Sequence, residues 1–233
     1  MSNSPLIRTI DLRKVYETEA VTTPALRGVD LDLHEKEFTA IAGPSGSGKS
    51  TLLHLLGGLD RPTSGEILLE GRPLSGLSKD QLARLRMTSI GFVFQAYNLI
   101  PVLTVLENTA FVLELQGVAR AERIERARRI LGELGIEKYA DQFPNRISGG
   151  EQQRVAVARA VVSEPSIVLA DEPTANLDSA ASLELIDLMR RLNEGKGATF
   201  LFATHDARLL DRVSRVVTLV DGRISADEVR DSA

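Results

Sequence analysis

The apolar residues of the first part of the chain and of its last third predict β-strands. FTAIA from Phe38, SIVLAD from Ser166 and TFLFAT from Thr199 are short, nearly continuous apolar runs. Such runs are typical of parallel strands whose two faces are both covered. LIRTIDLRKVY from Leu6 alternates apolar and polar residues, and GEILLEG from Gly65 is an apolar run bounded by glycines. Both segments are therefore predicted to be strands as well.

A helical period replaces the strand pattern over about residues 104–135. In this segment Ile124, Ala127, Leu131 and Leu134 recur at steps of three and four residues, which predicts one apolar stripe on a helix. The Arg and Glu residues between them are expected to form its solvated face.

The last third of the chain returns to an alternation of strands and helices. Between its two apolar runs lies a second helical stripe, formed by Leu185, Leu188, Met189 and Leu192. Asp221 and Gly222 stand between two further apolar runs, which predicts a β-hairpin with a type I′ turn. The whole order predicts an α/β fold with a parallel core sheet, into which the helical middle is inserted.

Composition narrows the classes of function. The 233 residues carry a formal net charge of −4, which does not favour general electrostatic binding to nucleic acid or acidic lipid. The chain has no cysteine, which excludes disulfides and cysteine-ligated metal and is compatible with a reducing cytosol. We find no secretory signal at the N-terminus and no apolar run of roughly 18 residues that could cross a bilayer. A role at a membrane would therefore need spanning segments from another polypeptide.

The sequence GPSGSGKST, which begins at Gly43, fits the phosphate-binding pattern G-x-x-x-x-G-K-[ST]. It follows an apolar strand and precedes a leucine-rich helical run, which is the context of a P-loop. Its glycines let backbone N–H groups point at phosphate oxygens, and the helix start adds partial positive charge. We expect Lys49 to neutralise the β- and γ-phosphates and Ser50 to offer its hydroxyl to Mg²⁺. A glycine-rich turn with an incidental lysine is the alternative, which this context disfavours.

Two adjacent acidic residues stand at the end of the strand SIVLAD. Asp171 ends the strand, where its carboxylate can reach the Mg²⁺ shell, and Glu172 comes next. Adjacent side chains that leave a strand point in different directions. Asp171 is therefore assigned to the cation, and Glu172 to the attacking water as general base or orienting acceptor. The alternative is a surface acidic pair that caps the next helix.

Two further polar residues stand at predicted strand ends. Gln95 ends IGFVFQ, and His205 follows TFLFAT. An amide or a neutral imidazole at these positions could contact the γ-phosphate or its water without adding net charge. His34 and His54 receive no role, since a lone histidine is more often structural.

A second cradle for an anion is predicted far from the first. Ser148, Gly149 and Gly150 in ISGGEQQR open a helix with small and polar residues that leave backbone N–H groups bare. A short chain with two phosphate cradles needs an explanation.

Taken in order, GPSGSGKST, Gln95, ISGGEQQR, IVLADEP, ANLD and His205 resemble the ATP-binding subunit of ABC transporters. The resemblance covers nearly the whole chain, and ISGGEQQR is its specific element because many P-loop kinases and GTPases lack it. It implies a P-loop NTPase fold with a parallel core sheet, an N-terminal antiparallel β-subdomain and an inserted helical subdomain. The core and β-subdomain are expected at about 1–95 and 160–233 of a single domain, and the helical subdomain at about 96–159.

The resemblance also implies why there are two cradles. In this family Ser148 to Gly150 would bind the γ-phosphate of an ATP held by the P-loop of a second copy, in a head-to-tail homodimer. Asp178 matches the loop along the dimer seam. Gln95 matches the lever between the active site and the helical subdomain, which in turn receives a helix from the membrane subunit. Tyr16 matches the aromatic residue that stacks on adenine, with a packing tyrosine as the alternative.

These implications complete the set of candidate site residues. The candidates for catalysis are Lys49, Gln95, Glu172 and His205. The candidates for contact with Mg²⁺ are Ser50, Gln95 and Asp171. The candidates for nucleotide binding are Tyr16, Gly43, Pro44, Ser45, Gly46, Ser47, Gly48, Lys49, Ser50, Thr51, Ser148, Gly149, Gly150, Glu151 and Asp178.

Three residues depart from the family's most typical motifs. Ile147 and Glu151 replace Leu and Gln of the signature, and Asn176 stands where Ala is common. These changes leave the Ser-Gly-Gly cradle and the seam aspartate in place. Together with GGLDRPTSGEI and NLIPVLTVLEN, they resemble the lipoprotein-releasing and macrolide-exporting branch of the family.

The sequence thus predicts an ATPase that uses ATP and Mg²⁺ to power a membrane complex through closure of its homodimer. The expected partners are transmembrane permease subunits, with no nucleic acid, and the expected place is the cytoplasmic face of the membrane. A soluble ABC ATPase that acts on nucleic acid or ribosomes is the alternative, although such chains commonly hold two cassettes or a long inserted arm. A P-loop kinase is a third reading, which would leave ISGGEQQR unexplained. The sequence does not indicate the cargo or the direction of transport.

Overall fold

Two β-sheets organise the protein in a computed structural model that describes residues 4–17 and 22–230. The larger sheet has six strands in the order β10-β9-β3-β8-β7-β6, and the smaller has four in the order β2-β1-β4-β5. The strands of the larger sheet are β3 (Phe38–Ala42), β6 (Ile90–Val93), β7 (Ile167–Asp171), β8 (Thr199–Ala203), β9 (Arg215–Val220) and β10 (Arg223–Val229). Those of the smaller sheet are β1 (Ile7–Glu17), β2 (Thr22–Leu33), β4 (Ser64–Leu69) and β5 (Arg72–Pro73).

Seven α-helices connect and cover these strands within the described part of the chain. They are α1 (Lys49–Leu56), α2 (Lys79–Ser89), α3 (Val105–Leu115), α4 (Arg120–Glu133), α5 (Gly149–Val161), α6 (Ser179–Lys196) and α7 (Ala207–Leu210). Two 3₁₀ turns, Glu137–Tyr139 and Pro144–Arg146, lie between α4 and α5.

The core of the larger sheet is parallel, as predicted. Strand β3 pairs in parallel with β8 and β9, and β7 pairs in parallel with β8 and β6. Alternate residues of a strand point to opposite faces. Phe38, Ala40 and Phe202 accordingly join one hydrophobic cluster, while Ile41 and Leu201 join another on the other face. Because both faces are covered, β3 and β8 are buried along their whole length, which explains their continuous apolar sequence.

The smaller sheet is antiparallel, as the resemblance implied. Strand β1 pairs with β2 on one side and with β4 on the other. The sequence did not predict β2, which is a long strand interrupted by Pro24 and Gly28. It also did not predict α2, although Ser78 and Gln81 form a capping box at the start of that helix. That spacing of Ser and Gln is a recognised signal for a helix N-terminus.

Both predicted helical stripes are confirmed. In α4 and the residue after it, Ala127, Leu131 and Leu134 are buried, and Ile124 packs partly buried against the same cluster. In α6, the four predicted residues Leu185, Leu188, Met189 and Leu192 are all buried. The helices α3, α4 and α5 follow one another between β6 and β7, where the sequence places the inserted segment. The subdomain boundaries near residues 96 and 159 stay a prediction.

The predicted hairpin near the end of the chain is also confirmed. Strands β9 and β10 pair antiparallel, and the φ angles of Asp221 and Gly222 between them are 47° and 74°. Two successive positive φ angles are the mark of a type I′ turn.

Over residues 4–17 and 22–230, the helices are too short or too polar to cross a membrane.

Candidate nucleotide-binding site

The P-loop lies between β3 and α1, at the carboxyl edge of the larger sheet. Gly43 and Gly48 have φ angles of 148° and 105°, a region that side chains rarely adopt. A methyl group on Gly43 would lie 2.1 Å from the carbonyl oxygen of Leu219, and one on Gly48 would lie 2.5 Å from that of Ala25. Both positions therefore require glycine. The backbone N–H of Gly222, in the β9–β10 turn, donates to the carbonyl oxygen of Ser47 at 3.0 Å, so that the hairpin supports the loop from behind.

The start of α1 is open to an anion. Gly48 caps the helix without a side-chain hydrogen bond from any described residue, and the first turn contains no acidic side chain. By contrast, side chains cap α2, α3, α5 and α6. The first N–H groups of α1 thus remain available together with the positive end of the helix dipole. Lys49 is mostly buried, and its Nζ donates to the carbonyl oxygens of Gly43 and Pro44 at 2.9 and 3.0 Å, which leaves one of its three donors for a phosphate.

The predicted metal ligands Ser50 and Asp171 are brought together. The Ser50 hydroxyl donates to Oδ1 of Asp171 at 2.9 Å, and Nε2 of His54 lies 3.9 Å from Oδ2. Burial raises the pKa of Asp171, because a buried carboxylate lacks water to stabilise its charge. A bound cation would offset that cost, and a hydroxyl and a carboxylate are the oxygen ligands that Mg²⁺ accepts. In the described ranges no three His, Asp or Glu side chains converge on a metal site, so most of the remaining ligands would come from nucleotide and water.

The side chains of Glu172 and His205 form a pair. Asp171 and Glu172 have different partners and so point in different directions, as predicted. Nδ1 of His205 lies 2.7 Å from Oε1 of Glu172, and the Thr204 hydroxyl donates to Oε2 at 3.1 Å. The Glu172 side chain is largely buried, whereas that of His205 is 73% exposed. The bond at Nδ1 orients the imidazole and leaves Nε2 open to the cleft. Glu172 is thus held in place, and its contact with an attacking water stays a prediction.

Lys49, Ser50, Glu172 and His205 line one cleft of about 650 Å³, whereas Asp171 lies outside its lining. The walls of the cleft also include most of the P-loop between Pro44 and Thr51, the strand segment Thr23 to Ala25, and Gln95. The cleft therefore joins the phosphate loop to the candidate groups for catalysis.

The Ser-Gly-Gly cradle begins α5 and lies outside the lining of this cleft. The Ser148 hydroxyl accepts from the Glu151 backbone N–H at 3.3 Å, while the Ser148 N–H donates to the Glu151 carboxylate at 2.7 Å. The two residues form a capping box. Burial by itself would raise the pKa of Glu151, but hydrogen bonds from Tyr139 and Ser148 outweigh it and lower that pKa. The Glu151 carboxylate thus occupies donors that the sequence assigns to a phosphate.

Asp178 stands beside that cradle. Its carboxylate caps α6 by accepting from the Ala181 backbone N–H at 2.9 Å. A methyl group on Gly150 would lie 3.7 Å from Cβ of Ala181, so the starts of α5 and α6 are neighbours. The structure therefore places most of the predicted nucleotide-binding residues in two groups, one in the cleft and one at these two helix starts.

Tyr16 lies near the rim of the cleft and outside its lining. It pairs with Thr23, which lines the cleft, and its side chain is 41% exposed. Its hydroxyl donates to Asp60 at 3.1 Å, and the ammonium of Lys14 lies 4.8 Å from the ring centroid. The ring is thus held with exposed surface, and its contact with adenine stays a prediction.

Sequence reasoning missed several residues of this region. Thr204, which contacts Glu172, comes at the end of a predicted strand, so its position was a signal that could have been used. His54 follows Ser50 by one helical turn, which places both on the face of α1 towards Asp171. Asn176 and Arg159 hold the loop that contains Gln95, and nothing local in the sequence indicates those contacts.

The chain is similar in sequence to ATP-binding proteins of one family, the ABC transporters. The model of the ABC transporter family matches residues 26–175. The lipoprotein-releasing system ATP-binding protein LolD of Anaeromyxobacter dehalogenans is 47% identical over 225 residues, which cover 96% of this chain and 94% of that protein. An uncharacterized ABC transporter ATP-binding protein of Thermotoga maritima is 46% identical over 221 residues, covering 95% and 94%.

Solved structures are also similar. The dimeric structure of MJ0796, described as a bacterial ABC transporter cassette, superposes with a TM-score of 0.90 at 40% identity and covers 97% of this chain and 100% of its own. A dimeric post-hydrolysis state of MJ0796 bound to ADP and Pi superposes with a TM-score of 0.89 at 39% identity over the same shares of the two chains.

Proposed function

Because this chain belongs to the ABC transporter family and is an ATP-hydrolysing, nucleotide-binding subunit, we propose that it works as a homodimer with two shared ATP sites. The observation that carries the proposal is the separation of its two cradles. The P-loop faces the cleft, whereas Ser148 lies at a helix start outside that cleft. A head-to-tail pair, in which each P-loop meets the Ser148 cradle of the other copy, uses both cradles on one ATP. The dimeric state described for MJ0796 supports this arrangement.

Within each site, the residues of the cleft divide the work. The open start of α1 and the free donor of Lys49 bind the phosphates. Ser50 and Asp171 would hold Mg²⁺, which when bound neutralises negative charge on the phosphate oxygens. Glu172, held by His205 and Thr204, orients the attacking water and accepts its proton.

ATP would also act as the link between the two copies. Its γ-phosphate carries negative charge that the P-loop of one copy and the Ser148 cradle of the other both bind. Hydrolysis separates this phosphate from ADP, which weakens the contact between the two copies. Binding therefore favours the closed dimer, and turnover allows it to open.

A groove on the side of α5 suits the membrane partner. It has a volume of about 380 Å³, and its lining includes Phe92, Phe94 and Leu115. The Leu115 side chain, at the end of α3, is 57% exposed. An apolar groove of this kind fits a helix of a transmembrane subunit, which would place this chain on the cytoplasmic face of a membrane. The similarity to LolD favours a lipoprotein-releasing or exporting complex.

Glu172→Gln tests the assignment of catalysis. The variant keeps the size of the side chain and loses the proton acceptor, so ATP should bind and the dimer should persist while phosphate release falls by about 100-fold or more. Size-exclusion chromatography with ATP and a phosphate-release assay measure the two quantities. Glu114→Gln, on the exposed face of α3, is the matched control. Hydrolysis by Glu172→Gln at the control's rate would refute the role of Glu172.

A mixture of two inactive variants tests the shared site. Lys49→Ala removes one half of each site, and Ser148→Ala the other half. In a mixed dimer, one site contains both defects and the other contains neither. Random pairing makes about half of the dimers mixed, so the mixture should recover roughly a quarter of the wild-type rate. Mass spectrometry shows whether mixed dimers have formed. If they have formed and the mixture hydrolyses ATP no faster than either variant alone, the shared site is contradicted.

A further inference from the structure

The segment after β6 lies between the nucleotide cleft and the apolar groove. Gln95 lines the cleft, whereas Phe94 and Asn98 line the groove. Tyr97 and Asn98 have φ angles of 58° and 50°, and two successive non-glycine residues in this region are unfavourable. The surrounding structure must therefore hold this turn in place.

The first contact that stabilises this turn comes from α5, the helix that begins with the Ser148 cradle. The guanidinium of Arg159 donates to the carbonyl oxygens of Asn98 and Tyr97 at 2.6 and 2.9 Å. No ion pair among the described residues includes Arg159, and burial lowers its pKa. The carbonyl oxygens of the strained turn thus serve as its hydrogen-bond partners.

The second stabilising contact comes from the loop between β7 and α6. Nδ2 of Asn176 donates to the carbonyl oxygen of Gln95 at 2.9 Å. Asn176 lies between Glu172 and Asp178 in the sequence. The bond uses only the main chain of Gln95, so the side chain of this cleft-lining residue takes no part in it.

We propose that Asn176 is a positioning residue for ATP hydrolysis, which fixes Gln95 in the cleft by tying it to the loop that carries Glu172 and Asp178. The inference deepens the proposed function and rests on it. Because of this bond, the loop at the dimer seam and the loop that faces the groove move together. Contact at the seam is thereby transmitted to Gln95 within the same chain.

The test compares Asn176→Ala and Asn176→Asp with wild type in the full-length homodimer. Asp has the shape of Asn but would place an oxygen against the Gln95 carbonyl oxygen, so it removes the bond without opening space. Loss of one hydrogen bond that is needed in the transition state should lower kcat by about 3- to 10-fold in both variants. The KM for ATP and the melting temperature should change little, since Asn176 is exposed. A kcat for Asn176→Asp equal to that of wild type would overturn the proposal.

A double-mutant cycle shows whether Asn176 acts through Gln95. In a Gln95→Ala background, measured by single-turnover hydrolysis, Asn176→Asp should have no further effect, because the side chain that it positions is gone. The same fold-loss in both backgrounds would also overturn the proposal. Wild-type turnover as an ATP-dependent dimer is measured alongside. If the wild-type turnover is normal, the same fold-loss in both backgrounds contradicts only the role of Asn176. If the wild-type protein shows no ATP turnover as a dimer, the proposed function itself is contradicted.

Discussion

The buried side chain of Asn108, in α3, allows a quantitative test of what holds the loop before α3 in place. Asn108 is fully buried, and its Oδ1 accepts from the Ile100 backbone N–H at 2.8 Å. Its Nδ2 donates to the carbonyl oxygens of Ile100, Leu103 and Thr104, at 2.9 to 3.0 Å. One side chain thus satisfies four backbone groups of the loop that joins the Gln95 turn to α3.

Asn108→Ala removes all of these contacts at once, and they amount to about three hydrogen bonds because two N–H groups are shared among three carbonyl oxygens. Each is worth about 1 kcal/mol net, and some of the freed backbone groups stay shielded from water, so we expect the free energy of unfolding to fall by about 3 to 4 kcal/mol. In a chain of this size each kcal/mol shifts the melting temperature by roughly 2 to 4 °C. The melting temperature should therefore fall by about 6 to 16 °C. Asn108→Asp should cost at least as much, because it sets a carboxylate against three carbonyl oxygens.

Urea unfolding followed by circular dichroism gives the free energy, and a thermal scan gives the melting temperature. The control is Glu114→Gln on the same helix, which breaks an ion pair between the exposed Glu114 and the partly buried Arg123 and should cost about 1 kcal/mol or less. A loss in Asn108→Ala that is no larger than in this control would mean that the loop does not depend on the side chain of Asn108.

Two further predictions concern charge. Arg215 holds Glu37 and Asp227, and its hydrogen bond to Asp227 lowers the pKa of that carboxyl. A lowered pKa gives stability that is present above the ordinary Asp range and is lost as the pH falls below about 4. Arg215→Met should therefore lower the free energy of unfolding by about 2 to 4 kcal/mol at pH 7. Its stability should also fall less steeply in acid than that of wild type, which urea unfolding at several pH values measures. An unchanged acid profile would mean that Arg215 does not stabilise the protein through Asp227. Glu151→Gln keeps a hydrogen-bonding group at the Ser148 cradle but removes its negative charge, so the closed dimer should form at ATP concentrations about 2- to 5-fold lower; light scattering measures this, and weaker dimerisation would contradict it.

Much of the fold could be predicted because its signals are local. Continuous apolar runs identified β3, β7 and β8, and their parallel order placed Gly43, Asp171 and His205 at one edge of the sheet. The stripe through Leu131 and the turn at Asp221 followed in the same way from periodicity and turn chemistry. These elements are confirmed, whereas the chemical roles of individual site residues stay predictions.

What could not be predicted depends on contacts between distant segments. The amide of Asn176 meets the carbonyl oxygen of Gln95 across 81 positions of sequence, and Arg159 reaches Asn98 across 61. No periodicity carries that information. The box between Ser148 and Glu151 is different, since its spacing is a recognised helix-start signal. The sequence indicates an anion cradle at this position, and in the structure the chain's own Glu151 carboxylate accepts from the N–H and hydroxyl of Ser148.

The support that the β9–β10 hairpin gives to the P-loop has a consequence for shortened chains. The phosphate-binding glycines lie far in the sequence from the backbone that meets them, at Leu219 and Gly222. A fragment that contains β3 and α1 but lacks β9 and β10 has the nucleotide motif without this support. The motif alone should therefore bind ATP more weakly than the folded domain does.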